Sequence, residues 1–295
     1  MKTLVIGATG LVGLEVCRRL TDSGTAVRAL IRTTADPQKR AELERLGVEL
    51  AQGDLKDPVS LARACAGVQS VISTASSTLT RQSGDSIETV DRRGQLALVD
   101  AARTAGVEHV VFVSFRDNPA IRFPLSDAKR EVEQALKSSG MAFTILQASY
   151  FMEVWLTAAL GFDPANGKVR IYGDGSQPVS WISYKDVAHA AAAAVSEPSA
   201  RNQVVELGGP QALSPLEVVR MFEAAGAGEI ATEHVPAPAL QAQMNAATDP
   251  LEKTFAGLML QYTGGDAIDP AASSRLFPFR MTSVRDFIAT QLARV

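Results

Sequence analysis

An apolar run, Leu4-Val5-Ile6, leads directly into Gly7-Ala8-Thr9-Gly10-Leu11-Val12-Gly13, and an amphipathic stretch, Leu11–Leu20, follows. Three glycines at this spacing, at a strand-to-helix junction, let the backbone turn tightly and approach a bound group with no Cβ in the way. The first turn of the helix adds N–H groups that have no intrahelical partner, at the positive end of the helix dipole. Together these residues describe a backbone anion site of the kind that seats a pyrophosphate.

The second apolar run, Ala26–Ile31, ends at Arg32. Dinucleotide folds often place an acid there to hold the adenosine ribose hydroxyls, whereas a guanidinium suits a 2′-phosphate. The expected cofactor is therefore NADP(H), with NAD(H) less favoured. Lys39 and Arg40 either reinforce that charge or form the solvated face of the next helix. After the third run comes Gly53-Asp54-Leu55. Here Asp54 either accepts from an adenine amino group, with Leu55 covering the ring, or simply makes the turn.

Candidate chemistry continues downstream. Ser114 closes the fifth run, Val110-Val111-Phe112-Val113, and either orients a substrate carbonyl or makes local backbone bonds. Lys129 lies near the start of a helix expected after Pro124, placed to donate to a ribose or a substrate, or else solvated. Tyr150 follows the sixth run and is the phenol best placed to serve as an acid, with packing as the alternative. Phe115, Phe123, Phe151, Trp155 and Phe162 either line a pocket for a flat acceptor or pack the core. His109, His189 and His234 have no serine or cysteine nucleophile beside them, and Cys17 and Cys65 lack CxxC spacing. Structural histidines, reduced thiols and no metal are expected.

These residues need elements to hold them. Six β-rich runs, Leu4–Ile6, Ala26–Ile31, Val48–Gln52, Ser70–Ser73, His109–Val113 and Ala142–Leu146, alternate with helical patterns. That rhythm predicts an α/β fold with a doubly wound parallel sheet of Rossmann type. Asp36-Pro37 and Asp57-Pro58 announce helix starts, and Ser214-Pro215-Leu216-Glu217 reads as a capping box. Beyond Ser149 the rhythm changes. A helix is expected over Phe151–Leu160, strands over Lys168–Tyr172 and Trp181–Ser183, and a helix from Ser183 through Val195. Irregular helices across Pro236–Arg280 and a final helix near Ser283–Ala293 complete the expectation.

The 295 residues are 46% hydrophobic and carry a net charge of −3, with no basic excess to collect nucleic acid. Neither a signal-peptide pattern nor a membrane-length apolar run is present, and a cytoplasmic protein is expected.

The loop Gly-Ala-Thr-Gly-x-x-Gly, Arg32, Gly53-Asp54 and Asp100-Ala101-Ala102-Arg103-x-Ala105-Gly106-Val107 resemble the NmrA-like group of atypical short-chain dehydrogenase/reductases. Lys129, Ser139-Gly140-x-x-x-Thr144-Ile145-Leu146 and Trp181-Ile182-Ser183-x-x-Asp186-Val187-Ala188 extend the likeness over nearly the whole chain. That group includes triphenylmethane, quinone and isoflavone-type reductases, and also regulators that bind dinucleotide without known turnover.

The resemblance implies an NAD(P)-binding core over residues 1–150 and a smaller C-terminal substrate-binding lobe over most of 151–295, with some elements returning to the core. It places Gly7, Ala8, Thr9, Gly10, Leu11 and Val12 at the pyrophosphate, with Gly13 closing the motif. Arg32 falls at the 2′-phosphate, Asp54 and Leu55 at the adenine, and Thr74, Ala75 and Ser76 beside the ribose. Lys129 and Ala148, Ser149, Tyr150 and Phe151 would flank the nicotinamide.

Leu125 departs from the group's wider pattern, because it stands where most short-chain dehydrogenases carry the tyrosine of Tyr-x-x-x-Lys. The expected activity is hydride transfer from NADPH to a small aromatic or quinone-like acceptor without that pair, by a monomer or homodimer. The alternative is a non-catalytic redox sensor, regulator or assembly factor.

Overall fold

The computed structural model describes residues 1–116 and 118–293. The first half alternates β1 (Lys2–Ile6), α1 (Leu11–Asp22), β2 (Ala26–Ile31), α2 (Pro37–Arg45), β3 (Glu49–Gln52), α3 (Pro58–Cys65) and β4 (Ser70–Ser73). A π-helical segment, Ile87–Gly94, then runs into α4 (Gln95–Thr104), followed by β5 (His109–Phe115), α5 (Pro124–Ser138) and β6 (Ala142–Ala148). The remainder comprises α6 (Met152–Trp155), β7 (Phe162–Asp163), β8 (Lys168–Tyr172), α7 (Tyr184–Ala194), β9 (Gln203–Leu207), α8 (Pro215–Phe222) and β10 (Ala231–Val235). Helices α9 (Ala237–Ala246), α10 (Pro250–Thr263), α11 (Ala271–Leu276) and α12 (Val284–Leu292) close it.

The main sheet has the order β3-β2-β1-β4-β5-β6-β9, and a smaller sheet has the order β10-β8-β7. This is the α/β, Rossmann-type doubly wound architecture. Because β1 sits between β2 and β4, the direction of winding reverses there, which opens a crevice beyond their carboxyl ends. Register sets the positions: Ile6 lies beside Leu30 on one side and Ser73 on the other, so Gly7, Thr74 and Arg32 emerge at one edge. Leu4, Val5 and Ile6 are at most 1% exposed, as a strand covered on both faces requires. Leu61, Val71, Phe112 and Ile145 continue this core, each contributing about 1.5–3 kcal/mol by leaving water.

The local signals act as their chemistry dictates. The Asp36 carboxylate accepts from Gln38 N at 2.7 Å, and Asp57 accepts from Val59 N at 3.0 Å, each ahead of a proline in the first turn. Ser214 and Glu217 form the reciprocal capping box.

Four expectations are corrected. The helix expected over Phe151–Leu160 breaks after α6, because Leu156 leaves helical geometry, Thr157 is extended, and the Thr157 hydroxyl donates to Val154 O. Trp181–Ser183 forms no strand but a single bridge, Ile182 to Phe151. Pro236–Arg280 holds regular helices, of which α10 is 14 residues long and capped by Asp249. A seventh strand, β9, joins the main sheet beyond the six read from sequence.

The chain divides into two compact units. One comprises Met1–Phe115, Pro124–Gln147 and Val187–Val205; the other comprises Arg116–Phe123, Ala148–Asp186 and Glu206–Val295. Among the described residues, no helix is long and apolar enough to cross a membrane, and no cluster of side chains fits a metal ion. Burial pushes the Cys17 thiol up to about 12 and the Cys65 thiol up to about 11, so both stay protonated.

Candidate active site

In the first unit, β1 ends in the glycine turn. Gly7 has φ of +81°, and a Cβ there would lie 2.8 Å from Thr74 Oγ1. Gly13 has an ordinary backbone, but a Cβ on it would stand 2.1 Å from Gly7 O, so α1 packs on the turn only through a hydrogen atom. Gly10 differs: its backbone is extended, and a Cβ would meet only Gly7 O, at 3.3 Å. Ala8 and Val12 are buried beneath the loop, Thr9 is half-buried, and Gly10 and Leu11 are exposed. Gly10 caps α1 with no side-chain hydrogen bond. The loop therefore presents an open helix N-terminus at the switch point.

The facing loop after β4 is braced from below. Thr74 N and Oγ1 both donate to Ile6 O, at 3.0 and 3.1 Å. Gln95 Nε2 donates to Ala75 O at 3.1 Å while its Oε1 accepts from Ser73 at 2.8 Å. Ser76 pairs with Thr78, and buried Asp91 accepts from both Ser77 N and Ser77 Oγ. Thr74, Ala75 and Ser76 are thus held beside Gly7 by two residues of the next helical segment.

At the carboxyl end of β2, Arg32 Nη1 lies 2.6 Å from Asp85 Oδ2, and Lys56 Nζ pairs with Asp85 Oδ1. Burial pushes the Asp85 carboxyl up, but hydrogen bonds from Lys56, Gln82 N–H and Arg32 outweigh it and hold the group below its ordinary range. Asp54 Oδ1 accepts from Lys56 N at 2.8 Å, and Asp54 N donates to Ser60 Oγ. Leu55 is 7% exposed and belongs to the core beneath Gly94. Arg32, Thr34, Gln52, Gly53 and Asp54 line a recess of about 190 Å³.

Beyond β5 lies a buried polar network. Ser114 Oγ donates to Glu133 Oε1 at 2.6 Å and accepts from Arg130 at 2.8 Å; Arg130 also pairs with Glu133 at 2.7 Å. Gln147 Nε2 donates to both Glu133 oxygens. Lys129, 5% exposed, donates to Val113 O at 3.1 Å and lies 4.5 Å from the Phe112 ring centroid. Burial pushes its ammonium down, with Asp91 and Glu133 opposing and Arg130 adding to the fall. Such a lysine gives up a proton more readily than a solvated one. Leu125, four residues before Lys129, is buried.

Ala148, Ser149, Tyr150 and Phe151 belong to the second unit, where Ser149 N donates to Leu207 O at 2.8 Å. Tyr150 is 8% exposed and its hydroxyl has no hydrogen-bond partner among the described residues. Its ring stands edge-on to Trp155 at 4.7 Å and to Tyr262 at 5.3 Å, and Trp155 stacks on Tyr262 at 5.2 Å. Burial pushes the Tyr150 phenol well above its ordinary value, with Asp266 and Tyr262 reinforcing the shift. Phe123, against Gly257, and Phe162, against Phe222, are core residues.

Sequence reasoning missed Asp85, Lys56, Asp91, Gln95 and Glu133, whose roles come from contacts up to 53 residues away in the chain. Only Ser86, capping the π-helical segment with Thr89, had a local signal.

A doubly wound sheet with a glycine turn and an open helix N-terminus at its switch point defines a Rossmann-type dinucleotide-binding fold. The chain belongs to the NmrA-like family, whose model matches residues 1–288. It is 35% identical over 224 residues to an NAD(P)H azoreductase of Xenophilus azovorans, covering 75% of this chain and 73% of the relative. It is 28% identical over 242 residues to the photosystem II assembly factor Ycf39 of Synechocystis, covering 82% of this chain and 72% of that one. The fold matches an NADPH-dependent quinone oxidoreductase of Escherichia coli complexed with NADPH, with a TM-score of 0.81, 22% identity and 98% and 99% of the two chains covered.

Proposed function

We propose that this protein is an NADPH-dependent reductase that transfers hydride to a small aromatic or quinone-like acceptor. The observation that carries the reading is the open N-terminus of α1 at Gly10 together with Arg32 at the end of β2: a backbone seat for a pyrophosphate and a cation for a 2′-phosphate. The azoreductase relative and the NADPH complex of the quinone oxidoreductase support the cofactor and the reaction class.

The bound cofactor supplies the hydride; the chain's own residues bind, orient and exclude water. Gly7 to Gly13 hold the phosphates, with Thr74 to Ser76 beside them. Asp54 either accepts from the adenine or only makes its turn, where its Oδ1 is already engaged by Lys56 N. Lys129 has two ammonium protons beyond the one given to Val113 O, available to a ribose hydroxyl or a reduced acceptor oxygen. Ser114 positions the network with Glu133 and Arg130 behind it. Tyr150, whose buried hydroxyl has no hydrogen-bond partner among the described residues, is the phenol assigned to the acceptor.

Calorimetric titration tests the cofactor: NADPH should bind more tightly than NADH, and Arg32→Ala should remove most of the difference. Equal affinities in the unaltered protein would overturn the assignment.

A second reading, a dinucleotide-binding assembly or regulatory factor, is favoured by Leu125 in place of the usual tyrosine and by the likeness to Ycf39. It predicts tight NADPH binding with no acceptor-dependent oxidation.

A further inference from the structure

We propose that Asp85 is an internal competitor for the 2′-phosphate seat: its carboxylate pairs with both Arg32 and Lys56 and so sets the preference between NADPH and NADH. The inference rests on reading Arg32 as the phosphate contact.

Two cations from different strand ends converge on this carboxylate, one on each oxygen, with Arg32 Nη1 at 2.6 Å from Oδ2 and Lys56 Nζ on Oδ1. A phosphate uses the same pairing of oxygens and cations. The Asp85 side chain is only 2% exposed although Arg81 and Gly84 beside it are exposed, so the acid is turned inward from a surface loop. The loop arrives as a built unit. Gln82 N donates to Asp85 Oδ2 at 2.8 Å, Gln82 Nε2 donates to Thr34 O at 3.2 Å, and Thr34 Oγ1 donates to Gln82 Oε1 at 2.5 Å. Thr34 follows Arg32 by two residues, so the loop is pinned at the end of β2 where the adenosine ribose would lie.

The charge balance decides the consequence. Arg32 and Lys56 face Asp85, and Asp54 lies 3.7 Å from Lys56, so two cations already meet two carboxylates. A 2′-phosphate brings about −1.5 to −2 charges into a neutral cluster, so it can reach the free donors of Arg32 and Lys56 but shares their charge with Asp85 and is repelled by it. A ribose 2′-hydroxyl brings no charge and can donate to a carboxylate. Asp85 therefore weakens NADPH and leaves NADH nearly untouched, and the selectivity of the intact protein is smaller than Arg32 alone would give.

The test compares dissociation constants for NADPH and NADH in the unaltered protein and in Asp85→Asn, which keeps the size and an oxygen for Gln82 N–H. Asp85→Ser serves as a second variant if the amide disturbs the loop, with thermal melting to confirm folding. The expected result is an NADPH affinity tightened about tenfold, with NADH changed less than twofold. NADPH affinity that is unchanged or weakened in a folded variant would overturn the inference while leaving the cofactor reading intact, because Asp85 would then be ordering the cations rather than competing for them. Failure of the unaltered protein to bind either dinucleotide would overturn the cofactor reading itself.

Discussion

The glycines of one motif should separate when each is changed to alanine. At Gly13 the new Cβ would lie 2.1 Å from Gly7 O and 2.6 Å from Gly7 C, against about 3.5–4.0 Å for an ordinary carbon contact. Both atoms are backbone of the turn and the new Cβ rides on α1, so relief requires α1 to move off the turn by more than an ångström. Overpacking of this severity costs about 3 kcal/mol or more, a large share of a typical native stability. At Gly10 the backbone is extended, the one near atom is Gly7 O at 3.3 Å, and the loss is that of a poorer helix cap, about 0.5–1 kcal/mol. Thermal melting should therefore show Gly10→Ala within about 2–3 °C of the parent, and Gly13→Ala lower by at least about 6 °C or insoluble. Calorimetry should show the opposite order of information: folded Gly10→Ala should lose at least tenfold in NADPH affinity, because its methyl occupies the path to the open helix end. Parental NADPH binding by Gly10→Ala would refute the assignment of this loop to the pyrophosphate, and a parental melting temperature for Gly13→Ala would refute the steric argument.

Three further outcomes follow from the buried groups. His109 donates from Nε2 to Thr144 Oγ1, whose own proton goes to Ala200 O, so Nδ1 is buried without a partner among the described residues, and burial aided by Arg201 pushes the imidazole down to about 4. Its folded value lies below the unfolded 6.5, so this stability is complete above pH 6.5 and is lost as pH falls through 4, by about 3 kcal/mol; His109→Gln should flatten that part of the acid limb in denaturant titrations, and identical limbs would contradict it. Glu133→Ala removes the carboxylate shared by Arg130, Ser114 and Gln147 and should cost about 3–5 kcal/mol in urea unfolding; a cost below 1 kcal/mol would show that the network does not hold the β5 end. Tyr150→Phe deletes an unpartnered buried hydroxyl, so melting should stay level or rise while turnover falls at least tenfold; unchanged turnover would remove Tyr150 from the chemistry.

Much of the first half of the chain was legible because its signals are local. The glycine spacing, the Asp-Pro caps and the β-rich runs each act within a few residues, and β2 and β4 fall at the bounds their composition predicts. What escaped depends on distance. Strand β9 exposes Gln203, Val204 and Glu206 and reads as a surface segment until β6 supplies its hydrogen-bond partner. The short apolar run Trp181–Ser183 looks like a strand, yet its backbone is used in a bridge to Phe151 and its tryptophan packs on Tyr262. The candidate site divides the same way. Arg32 could be read from its place after β2, whereas its pairing with Asp85 requires a loop 53 residues later to fold back. The departure at Leu125 was equally local, but the buried environment of Lys129, with Phe112 below and Val113 O as its acceptor, is a product of α5 packing on β5.

If the protein is a reductase, NADPH bound at the switch point is chemically competent. Anaerobic single-turnover mixing of the NADPH-loaded protein with a quinone or an azo dye measures this directly through the nicotinamide absorbance. The expected result is oxidation of one NADPH per site at a rate that depends on acceptor concentration and falls in Lys129→Ala. Bound NADPH that stays reduced against every acceptor in a broad aromatic panel would contradict it and leave the assembly or regulatory reading in its place.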